Sequence, residues 1–306
     1  MRKERVVITG LGVVTPLGSD KETLWSALCQ GKSGIRKIKS FDTSKHDVHF
    51  AGEVQDFDPS QWFDPKQVRR LDPFVQYAVA ATRMAVKDSG LDFSKTDATR
   101  VGVIIGSGMG GLHELEDQHR TLLERGPSRV SPFMIPKLMI NAASAMVAIE
   151  HGLYGPNLGV VSACATGAHA VGEALRLIQR NEADVVITGG TEAVITPLGV
   201  AGFTNMKALS TRNNEPQRAS RPFDKERDGF VLAEGAGIVI LEGLKHARRR
   251  GATIYAELLG YGLSADGCHM AAPEPGGRGA ISAMNSALAD ARCNPEAVNY
   301  INAHAT

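Results

Sequence analysis

Cysteine is scarce in this 306-residue sequence, and no two cysteines form a C-x-x-C pair. The four that occur are Cys29, Cys164, Cys268 and Cys293. Their scattered positions argue against a disulfide framework and against a zinc site. Chemistry by a single thiol remains open.

The sequence also has no long apolar run and no excess of positive or negative side chains. The first ten residues, MRKERVVITG, pass from charged side chains directly into a short apolar segment. With no stretch of signal-peptide or transmembrane length, the sequence predicts a cytosolic (cytoplasmic) protein that makes no membrane contact. Its 34 basic and 33 acidic residues give a net charge of +1, which provides no general case for binding nucleic acid.

Glycine is abundant, with 33 residues, and it often ends a short apolar run. Four such runs are VVITGLGVVTPLG, VGVIIGSGMGG, VVITGGTEAV and AELLGYGLSADG. Helical patterns lie between them, for example over residues 75–87 and 279–289. Strands that alternate with helices predict an α/β fold with a largely parallel, buried sheet. A chain of this length forms one large domain or two ordinary ones.

Two pairs of segments resemble each other in the same order along the chain. Residues 85–108 match residues 287–305 as helix end, polar loop and strand, and two apolar segments each run into a G-x-G motif. We interpret them as an internal duplication, although α/β elements also resemble each other by chance. Cys164 lies 58 positions beyond Gly106 in the first copy, whereas the second copy reaches the equivalent of Gly106 at His304. The second half is therefore predicted to be incomplete in this chain.

The segment GVVSACATGAHAVGEALRLIQR places Cys164 between two patterns. Residues 159–163 are apolar and predict a short buried strand, after which apolar side chains recur at helical spacing. That apolar stripe consists of Ala168, Val171, Leu175 and Ile178. Cys164 is then either a small buried apolar residue or a nucleophile, because the N–H groups and partial positive charge of a helix N-terminus favour an anion. On this segment alone both interpretations remain open.

Three segments together carry a family resemblance: the Cys164 segment, PFDKERDGFVLAEGAG at 222–237 and NAHAT at 302–306. They resemble the β-ketoacyl-acyl-carrier-protein synthases, and within that family the elongating rather than the initiating enzymes. The resemblance covers almost the whole chain. It implies a thiolase-like, duplicated α/β sandwich, with the active cysteine in a first half at 1–250 and the beginning of a second half at 251–306.

The resemblance also implies an activity. Cys164 would accept an acyl chain from carrier-protein phosphopantetheine as a thioester, which splits one difficult condensation into two easier steps. A malonyl carrier protein would then lose CO₂, and His304 would donate an N–H hydrogen bond to the oxygen of the resulting enolate. The backbone N–H of Cys164 would help to hold the oxyanion of acyl transfer. Neither a cofactor nor a metal is expected, and a homodimer acting in fatty acid elongation is expected.

Other residues take substrate-binding roles by the same resemblance. Met109, in GSGMGG, and Phe203 would line the acyl pocket, with core packing as the alternative, and Ala271 would lie near the pantetheine path. A dinucleotide-binding role for GSGMGG is disfavoured. A charged helix follows this motif, and no second strand ends in an acid about 20 residues later.

A basic cluster is the predicted docking surface for the acidic acyl carrier protein. Lys66, Arg69 and Arg70 share one helical face at i, i+3 and i+4. Lys207 is a weaker addition to this surface. A solvated helix face without a partner is the alternative interpretation.

The chain departs from the family pattern at three places. Ala305 stands where the N-A-H-G-T motif has glycine. Ala271 and Ala272 stand where relatives often carry hydroxyl residues. The second histidine, the lysine and the glycine-rich oxyanion loop of these enzymes would lie beyond Thr306.

Other classes of protein compete with this interpretation. A thiolase would use coenzyme A substrates and a second cysteine, and the NAH at 302–304 favours the decarboxylating synthase. A non-catalytic chain-length partner of polyketide systems generally lacks the nucleophile, so Cys164 argues against it. A polyketide-type ketosynthase remains an alternative, and a nicotinamide oxidoreductase is disfavoured by the GSGMGG context.

Overall fold

The structure, a computed structural model, describes residues 3–304. The strands in this range are β1 (Val6–Val14), β2 (Arg36–Lys37), β3 (Phe50–Ala51), β4 (Val101–Gly106), β5 (Asn157–Leu158), β6 (Val185–Glu192), β7 (Gly235–Gly243) and β8 (Ala256–Leu258). The α-helices are α1 (Lys21–Cys29), α2 (Pro65–Arg70), α3 (Pro73–Ser89), α4 (Leu112–Arg125), α5 (Met134–Leu138), α6 (Ala142–His151), α7 (Thr166–Gln179), α8 (Pro197–Asn205), α9 (Leu244–Arg249) and α10 (Arg278–Ala291). None of these helices is long and apolar enough to span a membrane.

Six strands form one mixed sheet in the order β5-β4-β6-β7-β1-β8, and β2 pairs with β3 separately. β4 pairs in parallel with β5 and β6, whereas β7 and β1 pair antiparallel with both of their neighbours. The prediction of a largely parallel sheet is therefore wrong. Glu192 at the end of β6 lies opposite Gly235 at the start of β7. The chain therefore re-enters the sheet beside the end of β6, and β7 is antiparallel to β6.

Helices cover both faces of the sheet. Along β4, the side chains of Val101, Val103 and Ile105 belong to a core with α3 and α6. The side chain of Ile104 belongs to a second core, with α7. This alternation follows the two-residue period of a strand, and the strand is apolar throughout because both faces are buried. The α/β fold class is confirmed.

The two G-x-G motifs approach their helices in the same manner. A Cβ atom on Gly12 would overlap the carbonyl oxygen of Ala81 in α3. A Cβ atom on Gly262 would overlap the carbonyl oxygen of Ala283 in α10. In both copies, only glycine lets the helix backbone come this close to the chain.

A shared hydrogen bond accompanies this contact. The N–H of Leu11, between the first two glycines, donates to Asp88 Oδ2 at 2.9 Å. The N–H of Tyr261, between the second two, donates to Asp290 Oδ2 at 3.0 Å. The same backbone position thus binds the same acidic residue type near the end of each helix, which supports the interpretation as a repeat.

Several elements differ in extent from the sequence prediction. The helices predicted over 75–87 and 279–289 are confirmed, and each is a few residues longer. The strand predicted over 159–163 is wrong, because β5 ends at Leu158 and the chain then leaves the sheet edge. The strand predicted at the end of the second-copy segment, 287–305, is likewise absent from the described part of that segment. No described strand lies beside its last residues to accept their backbone hydrogen bonds.

Candidate active site

Cys164 lies in a 3₁₀ turn, Ala163–Ala165, between the edge strand β5 and helix α7. Ala163 has a φ of 50°, a left-handed conformation that is uncommon for a residue with a Cβ atom. Cys164 is exposed. The interpretation as a buried apolar residue is therefore excluded, and the thiol is accessible to a reagent.

Side-chain hydrogen bonds fix this turn. The N–H of Ser162 donates to Thr166 Oγ1 at 2.8 Å, and Ser162 Oγ lies 2.6 Å from His169 Nδ1. Gly106, at the end of β4, packs so closely on Thr166 that a Cβ atom there would overlap the threonine methyl group. The turn is thus attached to α7, and the first residue of α7 packs on the end of β4.

Helix α7 packs a different set of residues than the predicted stripe. Its buried residues are Thr166, Ala170, Gly172, Ala174, Leu175, Leu177 and Ile178. The prediction is right for Leu175 and Ile178, but Ala168 is exposed and Val171 is half-buried. Both of these border an open cleft beside residues 258–261. The helix N-terminus remains directed at the turn that carries Cys164.

Cys164 and His304 line one cavity of 280 Å³. The other lining residues belong to the middle and the end of the charged loop at 210–229 and to the two residues after it; they are Ser220, Arg221, Pro222, Gly229, Phe230 and Val231. Larger depressions of 840 and 610 Å³ lie elsewhere, but neither contains a cysteine. The small cavity is therefore the candidate active site, since it joins a thiol to an imidazole.

Arg221 brings a positive charge to this cavity. Its Nη2 donates to Asp224 Oδ2 at 2.9 Å, whereas its Nε is buried and has no hydrogen-bond partner among residues 3–304. Sequence reasoning missed this residue. The only signal was that it belongs to a long charged loop, a kind of segment that is usually functional or mobile.

Glu192 holds the glycine-rich turn that follows β4. Its carboxylate accepts hydrogen bonds from Ser107 Oγ at 2.8 Å, from Gly108 N at 2.7 Å and from Met109 N at 3.4 Å. Burial raises the pKa of Glu192. A Cβ atom on Gly108 would lie 2.9 Å from the carboxylate, so glycine is needed there. Sequence reasoning missed Glu192, although its place at the end of a buried strand was a signal.

The predicted substrate-binding residues lie at different distances from the cavity. Phe203 is half-buried and packs edge-on against Phe230, a lining residue, with ring centroids 5.7 Å apart. Met109 is 41% exposed and does not line the cavity. Ala271 is also outside the lining and exposed, and its N–H donates to His269 Nδ1 at 3.1 Å.

Two residues named from the sequence motif, Ala305 and Thr306, lie outside the described residues. The effect of the alanine that replaces the motif glycine therefore remains an expectation from the sequence.

The basic cluster lies on a short exposed helix. Lys66, Arg69 and Arg70 are exposed on α2, which begins with a capping box at Asp64. Within residues 3–304 none of the three forms an ion pair with a carboxylate. Lys207 is exposed just after α8. These cations are therefore available to an acidic partner.

Two family models match most of the described range. The β-ketoacyl synthase N-terminal domain matches residues 3–247, and the β-ketoacyl synthase C-terminal domain matches residues 255–306. Relatives named 3-oxoacyl-[acyl-carrier-protein] synthase 2 are 53% identical in Coxiella burnetii and 51% identical in Synechocystis. Each comparison covers 100% of this chain and 74% of the relative's length.

Solved structures agree with these matches. The ishigamide ketosynthase/chain length factor superimposes with a TM-score of 0.92 at 35% identity, over 100% of this chain and 74% of the other. AntDE:AntF, a type II polyketide acyl-carrier protein in complex with its ketosynthase bound to the hexaketide, gives 0.88 at 32%, over 99% and 74%.

Fold and similarity together place the chain among the acyltransferases of the condensing class. The chain belongs to the β-ketoacyl synthase family, as a homologue of 3-oxoacyl-[acyl-carrier-protein] synthase 2. The family, the ketosynthase fold and the enzyme class predicted from the sequence are confirmed.

Proposed function

We propose that Cys164 and His304 carry out a decarboxylative condensation that extends acyl-carrier-protein thioesters in fatty acid elongation. The observation that carries this proposal is the cavity that these two side chains share. The 53% identity to a 3-oxoacyl-[acyl-carrier-protein] synthase 2 supports the substrate class.

In the first step the Cys164 thiolate attacks the carbonyl carbon of the acyl thioester. The C–S bond to pantetheine then breaks, and the pantetheine thiolate leaves with a proton from solvent. The negative oxygen of the tetrahedral intermediate accepts a hydrogen bond from the N–H of Cys164. The N-terminus of the 14-residue helix α7 begins two residues later and adds a favourable electrostatic field.

In the second step the malonyl group loses CO₂. The electron pair of the broken C–C bond moves to the α-carbon, and the thioester oxygen of the resulting enolate accepts a hydrogen bond from the His304 N–H. The α-carbon attacks the acyl carbonyl on Cys164, a C–C bond forms, and the thiolate of Cys164 is released. A donor aimed at the oxygen where charge develops is the most effective kind of catalytic group.

We propose that the acyl carrier protein docks on Lys66, Arg69, Arg70 and Lys207. Their exposure without carboxylate partners among the described residues supports this role. A related ketosynthase was solved in complex with its acyl-carrier protein, which supports the class of partner. We also propose that Met109, Phe203 and Ala271 contact the acyl-pantetheine substrate, with the contact between Phe203 and Phe230 as support for Phe203.

We further propose a homodimer that works in the cytosol, with the division between halves at residue 250. The edge strand β5 has no outer partner among the described strands, and its flank exposes Leu158, Val161, Ile149 and Tyr154. Such an apolar edge is suited to pairing with a second copy. The boundary is supported by the two domain matches, which end at 247 and begin at 255.

A polyketide-type ketosynthase is the second candidate function. The solved structures favour it, because two of them belong to polyketide or related systems. Their identities of 35% and 32% are well below the 53% of the fatty-acid relative. A non-catalytic chain-length partner is disfavoured by the accessible Cys164.

Selective alkylation tests the assignment of the nucleophile. Cys29, Cys164 and Cys268 are all exposed, so differences in their rates report electrostatic activation rather than access. With limiting iodoacetamide near neutral pH, we expect the first adduct on Cys164, mapped by peptide mass spectrometry. A first adduct on Cys29, Cys268 or the half-buried Cys293 contradicts the proposal.

A further inference from the structure

The cavity that contains Cys164 has one strongly basic side chain. Its described lining is otherwise neutral or apolar, apart from the imidazole of His304. Arg221 stays protonated at any pH at which the protein is folded. Asp224, which does not line the cavity, forms an ion pair with this guanidinium and offsets part of its charge. The remaining attraction for a bound anion is stronger in a small, partly apolar cavity than in water.

The guanidinium of Arg221 has donors that the protein does not use. A guanidinium carries five N–H donors, and one nitrogen, Nη2, binds Asp224. The Nε atom is buried without a partner among residues 3–304, although the side chain as a whole is 20% exposed. The Nη1 group forms no hydrogen bond among residues 3–304 and is not buried, so it is the donor that an acceptor on a bound molecule can reach.

We propose that Arg221 is the specificity-determining residue that binds the free carboxylate of the extender unit. This inference rests on the proposed function, in which a malonyl thioester and a neutral acyl thioester use the same cavity in turn. The two substrates differ at the reacting end by one carboxylate. Arg221 distinguishes them because only the malonyl group supplies an anionic acceptor.

Arg221 acts on binding more than on bond breaking. As CO₂ leaves, the negative charge moves from the carboxylate to the enolate oxygen, away from Arg221 and towards His304. The interaction with the carboxylate weakens as CO₂ leaves but is not lost at the transition state, so it lowers KM more than it changes kcat. Loss of Arg221 therefore raises KM for the malonyl substrate and leaves acyl transfer to Cys164 unchanged.

The same loop offers a matched control residue. Arg218 pairs with Glu215 three residues earlier, just as Arg221 pairs with Asp224 three residues later. The Arg218 side chain is 69% exposed and does not line the cavity. Replacement of Arg218 removes the same charge from the same loop without changing the proposed carboxylate site.

Two alkylating agents of similar size measure the effect without any turnover. Iodoacetate carries a carboxylate and iodoacetamide is neutral, so the ratio of their rate constants at Cys164 reports local attraction of an anion. We expect Arg221→Gln to lower this ratio roughly tenfold, Arg221→Lys to retain part of it, and Arg218→Gln to leave it unchanged. An unchanged ratio in Arg221→Gln overturns the proposal.

A second experiment measures protection of Cys164 in the unaltered protein. Its result does not depend on whether the Arg221 variants fold. We expect millimolar malonate to protect Cys164 from iodoacetamide, and its neutral analogue malonamide to give no protection. Equal protection by both compounds overturns the carboxylate site. Failure of Cys164 to react first with iodoacetamide refutes instead the proposed nucleophile, so the two failures are distinguishable.

Discussion

Two carboxyl groups against the first half of α3, the buried Asp72 and the half-buried Glu234, bind protons unusually tightly. Asp72, the N-cap of α3, accepts a hydrogen bond from the N–H of Glu114 at 3.0 Å. Glu234 accepts one from the N–H of Val54 at 2.9 Å and one from Tyr77 Oη at 3.3 Å. Burial raises the pKa of each carboxyl group to about 7. Both groups therefore titrate near neutral pH in the folded protein.

Replacement of Glu234 should flatten the dependence of stability on pH. Its folded pKa lies above the ordinary 4.5 of the unfolded chain, so the stabilising contribution is complete below pH 4.5 and is lost as pH rises through about 7. At high pH the free energy of unfolding has lost about 3 kcal/mol through this one group. We expect Glu234→Gln to be more stable than the unaltered protein at pH 8.5 and similar to it at pH 4, by urea unfolding.

The exposed Glu215 provides the control for this measurement. Its side chain is 50% exposed, so Glu215→Gln should leave the difference between the two pH values unchanged. Asp72 is present in every variant and makes the same contribution to the pH dependence of the free energy of unfolding, so it does not affect the comparison. Parallel pH curves for Glu234→Gln and the unaltered protein contradict the prediction.

At the residue scale the sequence revealed groups that belong to continuous motifs. Cys164 and His304 each lie within such a motif, and both line the cavity. Arg221 and Glu192 were missed because their roles depend on contacts that no local pattern encodes. Glu192 binds the turn at 107–109 across more than eighty positions of sequence.

At the scale of secondary structure, two short basic helices allow a direct test of docking. The helix α2 carries its cations at i, i+3 and i+4, and α9 carries Lys245, Arg248 and Arg249 at the same spacing on six residues. Those three side chains are also exposed. The two helices thus match in length, charge and spacing, and differ in their place in the fold.

We predict that charge reversal on α2, but not on α9, weakens the encounter with the carrier protein. A carrier protein with a bromoacyl-pantetheine arm alkylates Cys164, and the rate of this cross-link reports docking. Reversal of Lys66, Arg69 and Arg70 should lower the rate about tenfold at low salt and remove most of its salt dependence, because exposed charges are screened within about 10 Å at 0.1 M.

Two outcomes of that experiment bear on the role of α2. Free bromoacyl-pantetheine should react with Cys164 equally fast in both triple variants, since it needs no docking surface. Equal losses for α2 and α9, or an equal loss with the free arm, would refute docking on α2.

Helices and strands with a strong apolar periodicity were predictable from the sequence. Strands whose existence or direction depends on a neighbouring strand were not. Strands β1, β4 and β6 and helices α3, α7 and α10 lie where their apolar patterns predicted. The strand pattern at 159–163 and the one at the end of 287–305 gave no strand among the described residues, because a strand also requires a neighbour to accept its hydrogen bonds. The strand direction of β7 likewise depends on where the chain re-enters the sheet.

At the scale of the whole molecule, exposed apolar surface is concentrated near the end of the described range. Ten of the 25 large apolar side chains that are exposed within residues 3–304 lie between positions 254 and 301. Tyr300 and Ile301, next to the motif histidine, are 78% and 67% exposed. Large exposed apolar patches mark interaction surfaces or an aggregation hazard.

Residues 1–306 expressed alone are therefore expected to self-associate, and to give less malonyl-dependent product than a chain that also carries the remaining segment of the relatives. The relatives are longer, since this chain covers 74% of their length, and the family resemblance assigns a second histidine and an oxyanion loop to their remaining part. Loss of one oxyanion donor typically lowers the rate about 10²- to 10³-fold.

A chimera that adds the remaining C-terminal segment of the Coxiella burnetii relative to this chain should be monodisperse and active. Cys164 should be alkylated in both proteins, because its turn, α7 and the centre of the sheet lie within the described residues. Size-exclusion chromatography compares the association states of the two proteins, and an assay of malonyl-dependent product compares their activities. A 306-residue protein that is monodisperse and as active as the chimera would contradict the expectation.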